Sequence, residues 1–184
     1  MVPLSDSDLV SRARQGDELA YEALVRQHQE AIFRLAYLLL GDRSDADDVA
    51  QETFIRAFRA LDRFDTARPL RPWLLQIAAN LARNRRRAIG RYFAVLRRMV
   101  KADPDMFEPS AAVDARHGES LALWQFVRRL EQTDQEIIYL RYFLELSEAD
   151  IAETLGVAPG TVKSRLHRAI GRLRGVMKQE GFTG

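Results

Sequence analysis

Apolar positions recur along this chain at three- and four-residue intervals, and strict alternation is nearly absent, so the pattern predicts helices throughout. Ser5, with Asp8 three residues on, is a capping signal and Gly16 a stop, which together bound a short first helix. A second helix is expected from about Glu18 to Leu40. Its Leu24, Ile32, Leu35 and Leu39 fall near helical spacing, and Gly41 ends it. Ser44 with Asp47 is expected to open a third helix that reaches about Ala60, with Val49, Phe54, Ala57, Phe58 and Leu61 as its buried stripe. A loop from Asp62 to Arg71 contains Pro69. Pro72 suits the first turn of a fourth helix, Trp73 to about Arg87, which becomes strongly basic at its end.

From Lys101 to about Gly118 the periodicity is lost. The stretch ADPDMFEPSAAVDARHG holds two prolines, several acids and small residues, as a linker between domains does. Ile89 to Val100 either extends the fourth helix or belongs to that linker. Past it, one helix is expected from Glu119 to about Leu130. A second is capped by Thr133 with Glu136 and ends near Leu144. A third is capped by Ser147 with Asp150 and ends at Gly156, and a last one has Pro159 in its first turn and reaches about Met177. The expected class is therefore all-α: two small helical domains, 1–95 and 119–184, joined by a flexible linker, 96–118.

A length of 184 residues accommodates two such domains, and 47 % hydrophobic residues suffice for their cores. The net charge of +2 conceals a segregation. Arg83 to Lys101 carries eight basic residues and no acid, and Thr161 to Lys178 carries six Lys or Arg plus His167, again without an acid. Segregated positive charge is the footprint of a polyanionic partner, set against the plainer reading of a solvated helix face. The absence of cysteine excludes disulfides and thiolate zinc sites. The opening MVPLSDSD lacks the basic and apolar stretches of a secretory signal. The longest apolar run, Leu35 to Leu40, is far too short to cross a bilayer, so a cytoplasmic location without membrane insertion is expected.

The most specific local pattern is SEADIAETLGVAPGTVKSRLHRAIGRLR, Ser147 to Arg174. Two helices meet across a short break at Gly156. Ile151, Ala152 and Leu155 share a face of the first, and Val162, Leu166, Ile170 and Leu173 a face of the second, which is a helix-turn-helix arrangement. The opposite face of the second helix carries Lys163, Ser164, His167 and Arg168, donors suited to base edges and phosphates. A second constellation is RPWLLQIAANLARNRRR, Arg71 to Arg87. Its Trp73 serves either as a core anchor or as a stacking platform, and Asn80 and the arginines supply amide and cationic donors for single-stranded DNA.

In the third constellation, DADDVAQETFIRAF, a calcium loop is excluded because Ala50 and Arg56 stand where Gly and Glu are required. Asp45 and Asp47 are accounted for by favourable charge at a helix N-terminus. Asp48, Gln51 and Glu52 form one polar patch that suits a basic helical partner. No catalytic set emerges: His28, His117 and His167 are widely separated, and neither a Gly-rich phosphate loop nor a GxSxG elbow is present. No cofactor is called for.

In this order and spacing, DDVAQETFIRAFRAL, PWLLQIAANLARN and GTVKSRLHRA resemble the extracytoplasmic-function (ECF) group of the sigma-70 family, over about Ser5 to Arg87 (region 2) and Glu119 to Lys178 (region 4). The resemblance implies a stress-responsive transcription-initiation factor that is not itself an enzyme. Region 2 would bind the β′ clamp coiled coil of core RNA polymerase through Asp48, Gln51 and Glu52. It would open the promoter −10 element, with Trp73 at the upstream fork, Asn80 by a pocket for a flipped base, Arg83 contacting the −10 DNA, and the loop Phe64 to Arg71 setting specificity. Region 4 would read the −35 element through Lys163, Ser164, His167 and Arg168 and touch the β flap. An anti-sigma factor is an expected partner. Primary sigma factors carry two adjacent tryptophans at the fork, whereas this chain has Trp73-Leu74. The rival readings are a free-standing DNA-binding regulator, a sigma mimic that sequesters an anti-sigma factor, and a nucleic-acid enzyme. The first leaves the Asp48 patch without a purpose, the second has no need of the cationic faces, and the third lacks a metal or nucleophile set.

Overall fold

The computed structural model of the chain describes residues 4–100 and 118–181, with side chains for 4–91 and 123–181. Every regular element among the described residues is helical. The chain divides into two units, Met1–Ala111 and Ala112–Gly184.

The first unit begins with α1 (Asp6–Arg14), where Ser5 and Asp8 cap each other reciprocally. Gly16 turns the chain with φ +85°. Helix α2 (Glu18–Leu40) starts on the Asp17 carboxylate, which accepts from the backbone N–H groups of Leu19 and Ala20, and ends at Gly41 in the left-handed region. Helix α3 (Arg43–Ala60) is capped by Asp42, which accepts from Asp45 N–H at 2.8 Å. The expected Ser44 cap is thus corrected by two positions. The earlier start brings Ala46, fully buried, into a cluster with Ala36, Val49 and Leu81, where small side chains let helices approach closely. A 3-10 turn, Leu61–Arg63, closes α3.

Helix α4 (Leu70–Val100) begins three residues before the expected Trp73, with Pro72 still in its first turn, where no N–H is needed. It continues through Val100, which settles Ile89 to Val100 as helix and carries the helix into the segment expected as linker. The rest of that segment, 101–117, lies outside the described residues. Helix α2 packs against α1, α3 and α4, and its Leu24, Ile32, Leu35 and Ala36 are the centre of the core. Opposite them stand Val49, Phe54 and Ala57 of α3 and Leu74, Leu75 and Ala78 of α4. Phe58 is only half-buried, its ring edge-on to Tyr21 at 4.7 Å.

The second unit opens with α5 (Gly118–Arg128), followed by α6 (Gln132–Ile138), which widens into a π turn, Tyr139–Phe143. Thr133 does not cap α6: Glu131 occupies the cap position and makes no side-chain cap bond. Gln135 instead serves the end of α5, donating its amide to the carbonyls of Arg128, the last residue of that helix, at 2.9 Å and of Leu130, two residues on, at 2.7 Å. Helix α7 (Glu148–Leu155) is capped by Ser147 and closed by Gly156 at φ 65°, and α8 (Pro159–Gln179) carries Pro159 at its first position. These boundaries agree with the expected ones. Ile151, Ala152, Val162 and Ala169 are buried where α7 meets α8, whereas Leu155, Leu166, Ile170 and Leu173 are half-buried, and Thr154 takes the inner place expected of Leu155.

Candidate nucleic-acid interface

Helix α8 is seated by Val162 and Ala169, both fully buried, and this fixes which of its faces meets solvent. Helix α7 stops against it because the Gly156 N–H and Val157 N–H return to the Ala152 carbonyl, a left-handed closure that needs glycine. Lys163, Ser164, His167 and Arg168 all point outward and form one row. Two of them are loosely parked on their own helix: the Ser164 hydroxyl donates to the Thr161 carbonyl at 3.1 Å, and Arg168 Nε donates to the Ser164 carbonyl at 3.2 Å. Such exposed local bonds exchange with water or a ligand at little cost.

The basic run of α8 is smaller at the surface than in the sequence. Arg172 folds inward onto the Asp134 carboxylate of α6, with Nη2 donating to Oδ1 at 2.7 Å and Nε to Oδ2. The Asp134 side chain is 5 % exposed and that of Arg172 52 %. Arg172 therefore serves as the counter-ion of a buried acid, and its pKa is raised, chiefly by the hydrogen bond to Asp134.

On α4, Trp73 is half-buried and Asn80 exposed. Seven residues separate them, so they lie on nearly the same face, about 10 Å apart along the axis. Arg71 is exposed and Arg83 half-buried. Phe64 is placed otherwise than a surface contact would be: it is 7 % exposed, and its ring lies 4.6 Å from that of Trp73 at 35°. Its place is under the tryptophan, supporting it.

On α3, Asp48 and Gln51 are exposed and Glu52 is half-buried, paired with Arg56 at 2.7 Å. All three line an open groove of about 480 Å³ whose other walls include Ile55, Leu81, Asn84 and Arg85. Two of these change the character of the patch. Ile55, 44 % exposed, gives the acidic patch an apolar component, and it follows Asp48 by seven residues on the same stripe. Arg85, one of the eight cations of the α4 run, donates Nε to Asp45 Oδ1 at 2.9 Å and Nη2 to the same oxygen at 2.5 Å, and reaches Asp48 at 3.5 Å. Its pKa is raised, first by the hydrogen bond to Asp45. So Asp45 does more than favour a helix N-terminus: it ties α3 to α4. Among the described residues, no group of three or more His, Asp or Glu side chains is arranged to hold a metal ion, and no helix is long and apolar enough to cross a membrane.

The family model of sigma-70 region 2 matches residues 24–92, and that of sigma-70 region 4 matches residues 120–173. The chain is also 34 % identical over 178 residues to the ECF RNA polymerase sigma factor SigL of Mycobacterium tuberculosis, covering 95 % of this chain and 98 % of that one. The chain belongs to the ECF sigma factors of the sigma-70 family. A similar likeness, 34 % over 185 residues and 96 % of each chain, holds to the RNA polymerase sigma factor NccH of Alcaligenes xylosoxydans xylosoxydans. Among solved structures, this sigma factor resembles CnrH in complex with the cytosolic domain of CnrY, with a TM-score of 0.71 and 26 % identity over 95 % of this chain and 97 % of that one. It also resembles the sigma factor RpoE in complex with the anti-sigma factor NepR from Bartonella quintana, with a TM-score of 0.62 and 25 % identity over 86 % and 96 %. Helix α7 and the row Lys163, Ser164, His167 and Arg168 lie within the region 4 match, and Asp48, Glu52, Trp73 and Asn80 lie within the region 2 match.

Proposed function

We propose that this sigma factor joins core RNA polymerase, directs it to promoters through their −35 and −10 elements, and opens the −10 segment, without catalysis of its own. Lys163, Ser164, His167 and Arg168 read the −35 major groove. Trp73 stacks at the upstream fork, Asn80 faces a flipped base, and Arg71 and Arg83 hold phosphates, with Phe64 bracing Trp73 from below. Asp48, Gln51 and Glu52 receive the β′ clamp coiled coil, with Ile55 as apolar centre, and region 4 touches the β flap. Domain boundaries at 1–95, 96–118 and 119–184 suit this division of labour. Work on promoter DNA suits a cytoplasmic location. The likeness to RpoE bound by the anti-sigma factor NepR supports control by an anti-sigma factor that covers these surfaces until a signal releases them.

The observation that carries this reading is the outward row of donors on α8, opposite the fully buried Val162 and Ala169. Run-off transcription with core polymerase and genomic fragments tests it. Discrete transcripts that require this protein, and that fade with Lys163→Ala and Arg168→Ala, are expected. Core polymerase that stays silent with this protein, yet initiates normally with another sigma factor, would refute the reading.

A further inference from the structure

Arg14 is the last residue of α1 and lies before the stretch matched by the region 2 model. Its side chain is half-buried and turned toward the end of α3. Nε and Nη2 donate to the Leu61 carbonyl at 3.0 and 2.9 Å, and Nη2 also donates to the Phe64 carbonyl. Leu61 opens the 3-10 turn that closes α3, and its carbonyl also accepts from Phe64 N–H at 3.0 Å. One guanidinium therefore bridges the two carbonyls that bracket this turn. The ring of Phe64 is the support on which Trp73 rests.

The anchor of Arg14 is itself firm. Leu9, Val10 and Ala13 of α1 are buried against the rest of the unit. Asp6 Oδ1 accepts from Gln27 Nε2 at 3.0 Å and lies 3.0 Å from Nε2 of the buried His28. A planar fork with several donors suits two carbonyls at fixed separation. An ammonium of similar reach is a single point and cannot hold both in the same way.

The geometry points to Arg14 as a positioning residue for promoter opening: by clamping the Leu61 and Phe64 carbonyls it fixes the platform under Trp73. This rests on the reading of Trp73 at the −10 fork. With the clamp in place, Trp73 meets the DNA already oriented. Without it, Phe64 and Trp73 must be ordered as the DNA opens, and that entropy is charged to the opening step.

The test uses polymerase holoenzymes carrying Arg14→Met, Arg14→Lys, Trp73→Ala or Arg14→Met with Trp73→Ala. Opening is followed by 2-aminopurine fluorescence in the −10 segment of a duplex promoter and of the same promoter with that segment already mismatched. Arg14→Met is expected to slow opening of the duplex about tenfold, the scale set by losing charge-assisted hydrogen bonds. Arg14→Lys slows it as well. The mismatched template restores both, and the double variant is no slower than Trp73→Ala alone. In the free protein with Trp124→Phe, acrylamide quenching of Trp73 rises on Arg14→Met or Arg14→Lys. Should Arg14→Met fail to fold, Arg14→Lys carries every comparison. Equal slowing on both templates, or additive losses in the double variant, overturns the inference. So does normal opening by both Arg14 variants beside a slow Trp73→Ala. Normal opening by Trp73→Ala instead rejects the fork reading beneath it.

Discussion

Gln135 offers a quantitative check on how the DNA-reading unit is held together. Its side chain is buried, and its amide donates to the carbonyls of Arg128 and Leu130, groups at and beyond the end of α5 that lack a following helical turn to supply donors. Gln135→Leu keeps the volume roughly constant and removes both donors. At about 0.5–1.5 kcal/mol per hydrogen bond, and with both carbonyls left dry, the expected loss is about 2–3 kcal/mol. With a urea slope of about 1 kcal/mol/M for a unit of this size, the midpoint should fall by about 2–3 M. Trp124, buried in α5, reports this transition in a Trp73→Phe background.

Gln135→Glu sharpens the test, because a carboxylate turns acceptors toward acceptors. Burial without a donor raises the pKa of the introduced carboxyl in the folded state. The folded state then binds the proton more tightly than the unfolded chain does. Stability relative to the parent is best retained below the unfolded carboxyl value of about 4.3, and falls as pH rises above it. A midpoint shift under about 0.5 M for Gln135→Leu, against the slope used above, would refute the capping role. So would a pH-independent deficit for Gln135→Glu.

Further outcomes follow from the other surfaces. Lys163→Ala and Arg168→Ala should each weaken holoenzyme binding at the −35 element by about 1–3 kcal/mol where a base contact is lost. Each lost phosphate contact should lower the log-log salt slope by about 0.9 in competition titrations, and unchanged footprints with both variants would remove α8 from the groove. Glu52→Lys should abolish co-purification with core polymerase while leaving the circular dichroism melt near that of the parent, since Glu52 pairs with the exposed Arg56 on its own helix. Retained association would exclude the α3 patch. Glu145, at φ 56° between the π turn and α7, is a non-glycine residue in the left-handed region. Glu145→Gly should raise stability by about 0.5–1 kcal/mol by relieving the Cβ contact, measured as a higher urea midpoint of the Trp124 transition.

Features encoded within one helical turn were readable from the order of residues alone. The Ser5–Asp8 and Ser147–Asp150 caps, the Gly41 and Gly156 closures and the Pro159 start each involve residues at most a few positions apart, and all lie where expected. The same locality placed Lys163, Ser164, His167 and Arg168 on one outward face. Where two local signals competed, as Asp42 and Ser44 did at the start of α3, packing decided. Thr133 with Glu136 formed a valid capping pattern, yet both lie inside α6, because Gln135 is required inside the unit to reach the end of α5.

By itself, then, the sequence determined the helices, their main boundaries, the helix-turn-helix and the family to which they belong. What only the tertiary structure decided is the direction in which charge and aromatic groups are turned. Arg85 and Arg172 read as members of cationic runs, but each answers to an acid about 40 residues away, Asp45 and Asp134. Phe64 read as part of a loop between helices, and its buried ring lies 4.6 Å from that of Trp73. A cap is specified by the few residues that make it. An ion pair or a ring support between separate helices exists only once their register and crossing bring the partners together, and that is set by the buried faces as a whole.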